Sequence, residues 1–210
     1  VSDPDAPYGR RYVVTGGNMN ALLVEDIDRD GMPFEAAPGY NNGWLHNFLQ
    51  VAEILDGYER YPEYDLFDNV QFRKMFGAFY PLAMIGRYTP TIGDTGKTGN
   101  PGVIGALEHD ILAFQRFKDP LYAQLAYMKN NQSTEGLHGN IFSENPGALA
   151  AEIEQVIAEH GPLKLESTQS AGYGFNALRD GEAASIPDYG IQYNFRDLVI
   201  VESTLDTRYM

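Results

Sequence analysis

The chain contains no cysteine. Disulfide bridges and thiolate metal sites are therefore excluded at the outset. Basic residues are scarce as well: 15 Lys and Arg stand against 29 Asp and Glu, a formal net charge of −14. General binding to nucleic acid or to an anionic membrane draws on clustered Lys and Arg that release counterions, so neither fits this composition. The same deficit weighs against a heavily sulfated ligand. No apolar run approaches the roughly 18 residues of a membrane helix. No signal peptide is visible, and the sequence starts at Val1 rather than Met. Neither a Ser-His-Asp order nor a G-x-S-x-G elbow occurs. The histidines, at positions 46, 109, 138 and 160, show no metal-ligand spacing.

What remains is the composition of a globular protein, 43% hydrophobic and 21% charged over 210 residues, enough for a sizeable core in one or two domains. Gly16-Gly17-Asn18 opens a short helical stretch through Leu22, Leu23 and Ile27. A longer helix starts near Asn41, with Trp44, Phe48, Val51 and Leu55 on one 3.6-residue face, and Gly57 closes it. Phe72, Met75, Phe76 and Phe79 form the stripe of a further helix from about Asp68 to Pro81. The glycine-rich stretch 89–105 reads as a long loop. Helices follow near 106–117 and 119–129. The last helix has Asn145 as cap, Pro146 at its first position, a stripe of Leu149, Ile153, Val156 and Ile157, and a Gly161-Pro162 stop.

From about residue 163 the period changes to two. Leu163 and Leu165 alternate with polar neighbours, and Tyr173 to Leu178 runs into an Asp180-Gly181 turn. Tyr189, Ile191, Tyr193 and Phe195 alternate, and Leu198 to Val201 is a short apolar run. Helices first and strands afterwards predict an α+β chain, with a helical part at 1–161 and an antiparallel β part at 162–210.

The most informative stretch is Asp30-Gly31-Met32-Pro33-Phe34-Glu35-Ala36-Ala37-Pro38-Gly39-Tyr40. A glycine turn leads to a Phe-Glu pair read as buried, and a Pro-Gly break delivers Tyr40 to the first turn of an amphipathic helix. A loop-to-helix junction of this kind holds a polar group in a fixed place. Spacing alone also admits a tyrosine simply packed on its neighbours. Trp44, the only tryptophan, lies one turn on; it suits sugar stacking, and it equally suits the apolar stripe. Asp26-Ile27-Asp28-Arg29-Asp30-Gly31 mimics the start of a calcium loop, but position twelve is Ala37 where a bidentate Glu is needed. The Thr91–Thr98 stretch imitates a phosphate-binding loop, but Thr91 stands where that motif needs Gly.

The stretch ending at Tyr40 resembles the D-G-x-x-[FL]-E-x-x-P-G-Y segment of the heparinase II/III-like polysaccharide lyases. Weaker likeness extends to Pro90-Thr91-Ile92-Gly93-Asp94-Thr95 and to Gly172 through Gly181. The resemblance implies an incomplete α/α toroid followed by the first strands of an antiparallel β-sandwich, with substrate in the cleft between them. It implies β-elimination on a uronic-acid polysaccharide, with Tyr40 as base and acid and Glu35, Asn41, Trp44 and Asp94 as substrate-binding residues. Glu35 is read more readily as a carboxylate that holds the loop. A periplasmic or secreted location also follows from the resemblance.

Two departures stand out. The family's carboxylate-neutralising Asn or His is not matched before Tyr40, and its Gly-His-Gly-His-like run is not matched after Val199. The sequence is accordingly expected to be the central part of a longer polypeptide and not a functional enzyme alone. No cofactor is identified, and a divalent metal is left open for the sheet-domain part expected beyond Met210. Expected partners are an acidic polysaccharide or oligosaccharide and the remaining segments of the same polypeptide, without nucleic acid or membrane insertion. The rival readings are a toroid hydrolase using a carboxylate pair such as Glu35 and Asp94, and a non-catalytic carbohydrate-binding module.

Overall fold

A computed structural model of the chain describes residues 19–35, 37–60, 62–84, 88–90, 92, 100–101, 105–139, 145–179, 183–186, 190–193 and 198–201. Packing divides the chain into two compact units, residues 1–104 with 166–210, and residues 105–165. The fold is α+β, as the two periodicities predict. The last described helix ends at His160 and the next strand begins at Thr168, beside the division at 165/166. The division at 104/105 falls within the stretch read as one helical part.

In the first unit, helix α1 (Met19–Glu25) is followed by a tight loop, then α2 (Pro38–Leu55) and α3 (Val70–Gly77). Ile27, read as helical, instead forms an isolated antiparallel bridge with Pro33. Helix α2 buries Asn41, Leu45, Phe48, Leu49 and Ala52. That face is rotated from the predicted one, because Trp44, Val51 and Leu55 lie at its edge and keep part of their surface in water.

Helix α3 starts at Val70, two residues after the expected Asp68, and ends at Gly77, short of the expected Pro81. Asn69 is the cap: its Oδ1 accepts from the amides of Gln71 at 2.9 Å and Phe72 at 3.1 Å. Such a cap contributes about 1 kcal/mol. The predicted stripe is the core of this unit, with Phe72 and Met75 fully buried and Phe76 and Phe79 nearly so. Phe72 meets Phe48, Phe67 and Phe76 with ring centroids 6.3, 5.7 and 5.3 Å apart. Its loss to Ala removes contacts to three rings at once and costs about 3–5 kcal/mol.

Within the loop read at 89–105, strands β1 (Tyr88–Thr89) and β2 (Asn100–Pro101) pair antiparallel. Strands β3 (Thr168–Ser170), β4 (Phe175–Leu178), β5 (Ala183–Ile186), β6 (Gly190–Tyr193) and β7 (Leu198–Val201) follow. β4 is central, between β3 and β7, and β5 pairs with β6 in a separate hairpin. The ladder starts at Thr168, not at Leu163, because alternation marks an extended chain and only a partner strand makes it a ladder. Phe175 and Ala177 of β4 are fully buried. Just after β4, the Arg179 guanidinium donates to three backbone carbonyls, those of Pro81 at 2.7 Å, Ala83 at 2.9 Å and Glu166 at 2.5 Å.

The second unit holds α4 (Leu107–Phe117), α5 (Pro120–Lys129) and α6 (Ala148–His160). The α4–α5 corner is built by Lys118 at φ 52° and by Asp119, whose Oδ1 accepts from the Leu121 amide at 2.9 Å. Pro120 then stands at the first helical position, where its missing N–H costs nothing. Asp110 in the first turn of α4 and Lys129 at the end of α5 form a buried ion pair, Oδ2 to Nζ 2.6 Å. Helix α6 starts later than the sequence suggests. Asn145 and Pro146 belong to the preceding turn, closed by the Ala148 amide on the Asn145 carbonyl. Leu149 and Ile153 are buried, and Gly161 ends the helix at φ 75°. No described helix is long and apolar enough to cross a membrane.

Candidate functional site

The site is built by the loop that joins α1 to α2. Its ends are tied by the Phe34 amide on the Asp26 carbonyl and the Asp28 amide on the Met32 carbonyl, both 2.8 Å. Inside the turn, Asp28 Oδ1 accepts from the amides of Asp30 at 2.7 Å and Met32 at 3.0 Å. Gly31 sits at φ +92°, and a Cβ there would come within 2.6 Å of the Lys74 backbone. Two side chains of α3 hold the loop from below. Gln71 Nε2 donates to the Asp28 carbonyl and Lys74 Nζ to the Arg29 carbonyl, each at 2.9 Å.

The sheet region adds a third anchor, since Asp30 Oδ2 accepts the Gly172 amide. A Cβ on Gly172 would lie 2.8 Å from Asp28 Cγ and would have to displace the carboxyl groups of Asp28 and Asp30. Burial pushes the Asp28 carboxyl up from its ordinary value, against the opposing pull of its backbone hydrogen bonds, and the Asp30 charge adds to the rise. Burial, and secondarily the Asp28 charge, also push the Tyr173 phenol up. The run that imitates a calcium loop thus directs Asp28 and Asp30 at backbone amides. Among the described residues, no group of three or more His, Asp or Glu is arranged to hold a metal ion.

This anchored loop leads into α2, whose N-cap, Ala37, carries no capping side chain. Tyr40 is the third residue of the helix and 55% exposed. Gly39 before it is exposed, with open space where a Cβ would stand. Phe34, expected to be buried, is 51% exposed. It follows three consecutive buried residues, Gly31, Met32 and Pro33, and turns outward at a bend in the chain. Phe34 instead rests edge-on against Trp44, centroids 5.3 Å apart with the planes at 90°. Trp44 in turn stacks on Phe48 at 6.2 Å.

The other candidates separate. Tyr40 and Trp44 are four residues apart on one helix face, so their Cβ atoms are about 5–6 Å apart. Glu35 is half-buried beside Phe34. Asn41 is turned inward and fully buried, with Nδ2 3.8 Å from Met32 Sδ and no hydrogen-bond partner on Oδ1. Asn42 Oδ1 is likewise buried without a hydrogen-bond partner. Asp94, and the 91–98 stretch apart from Ile92, lie outside the described residues.

The histidines do not join this group of residues in a common spacing. His46 is exposed on α2, its Nε2 2.9 Å from Gln50 Nε2. His109 lies buried in α4, His138 is in a loop with Nδ1 3.2 Å from the Gly139 carbonyl, and His160 ends α6.

Chemically, the junction offers a half-exposed phenol at a helix start, one turn before Trp44, which Phe34 meets edge-on. The sequence motif located the phenol. It missed the outward-facing Phe34, which no local pattern marks. No family model, no curated protein and no solved structure matches the chain.

Proposed function

We propose that this chain forms part of a polysaccharide lyase that cleaves a uronic-acid-containing polysaccharide by β-elimination, with Tyr40 as base and then acid. In this reading the helices belong to an incomplete α/α toroid and the strands from β3 onward begin an antiparallel β-sandwich. The observation that carries the reading is the setting of Tyr40: a half-exposed phenol in the first turn of α2, delivered by a loop tied down at three points. It is supported by the resemblance of the eleven residues that end at Tyr40.

The reaction needs little else from the group itself. Tyr40 Oη takes the proton from C5 of the uronate, whose electron pair forms the C4–C5 double bond as the C4–O bond breaks. The phenol, now protonated, returns that proton to the departing oxygen. A base in contact with the proton and a neutralised substrate carboxylate are what lower the barrier. The exposed start of α2 has no acidic residue in its first turn, and a helix N-terminus carries positive partial charge, which favours a carboxylate there.

The test is the product. Elimination leaves a conjugated unsaturated uronate that absorbs in the ultraviolet; hydrolysis leaves a new reducing end without that chromophore. The protein at its natural length is incubated with unsulfated polyuronates, and both signals are followed. Reducing ends without the chromophore would replace the lyase reading with the carboxylate-pair hydrolase, and binding without either would leave a carbohydrate-binding module.

A further inference from the structure

We draw no further inference here: the strongest candidate, the side-chain cluster of Asp28 and Asp30 against Gly172 in the turn between β3 and β4, is an acidic pair engaged with the backbone amides of Asp30, Met32 and Gly172, and among the described residues nothing beside it points to a ligand.

Discussion

Gly31 lies directly on the backbone of Lys74, so close that a methyl group at its Cα would stand 2.6 Å from the Lys74 carbonyl carbon and oxygen. Its φ of +92° is equally closed to other residues. This contact presses the loop that precedes Tyr40 onto α3. Gly31→Ala is therefore expected to destabilise the first unit by about 2–3 kcal/mol. Denaturant unfolding measures it, and a change under about 0.5 kcal/mol, the range of ordinary surface substitutions, would show that the loop is not pressed onto α3.

A second prediction concerns Tyr40. Its ring is half in water, so Tyr40→Phe removes only an exposed hydroxyl and stability is expected to stay within about 0.5 kcal/mol. Turnover of a polyuronate is expected to fall by about 10²–10⁴-fold, the usual loss for a general acid–base group. Steady-state rates from ultraviolet absorbance decide it. A variant that keeps more than about a tenth of the rate would take Tyr40 out of the mechanism.

The Asp110–Lys129 pair predicts a pH effect in the second unit. Burial raises the Asp110 carboxyl from 3.8 to about 6, because it outweighs the attraction of Lys129 2.6 Å away. The folded state then holds this proton more tightly than the unfolded chain between pH 3.8 and about 6. Asp110 thus contributes stability that is fully present below the unfolded value and is lost as pH rises through the folded one. The contribution is on the order of 3 kcal/mol across that window. Asp110→Asn is expected to flatten this dependence. Hydrogen exchange of the α4 and α5 amides at pH 5 and 7, in parent and variant, reads it out. The idea fails if both proteins show the same pH profile.

Arg179 supports a fourth prediction. Its guanidinium spans the carbonyls of Pro81, Ala83 and Glu166, which join the turn after α3 to the ends of β3 and β4. Arg179→Met leaves these acceptors without a charged donor and is expected to cost about 2 kcal/mol or more. Arg179→Lys should recover only part, since one ammonium lacks the planar fork that reaches three oxygens. Urea midpoints of both variants test this; a lysine variant as stable as the parent would show that charge alone matters.

Part of this arrangement was legible in the residues. The Phe72, Met75, Phe76 stripe, the limits of α4 and α5, the Gly161 stop and the Leu198–Val201 strand came from local rules. Periodicity, proline at a first position and glycine at positive φ act over a few residues and need no distant partner. The position of Tyr40 at a helix start followed in the same way from Pro38-Gly39.

Other features belong to tertiary structure alone. Asn41 lies inside, against Met32, and Phe34 lies outside, although both belong to the same short junction. The β4–β7 pairing and the Asp30–Gly172 hydrogen bond, which joins residues 142 apart, depend on partners that no local window contains. Sequence determined most of the helices and strands and where the phenol lies along the chain, but not the β1–β2 pairing or the Ile27–Pro33 bridge. Only the fold decided which ring faces water beside it, because burial is set by what packs against a segment and not by the segment itself.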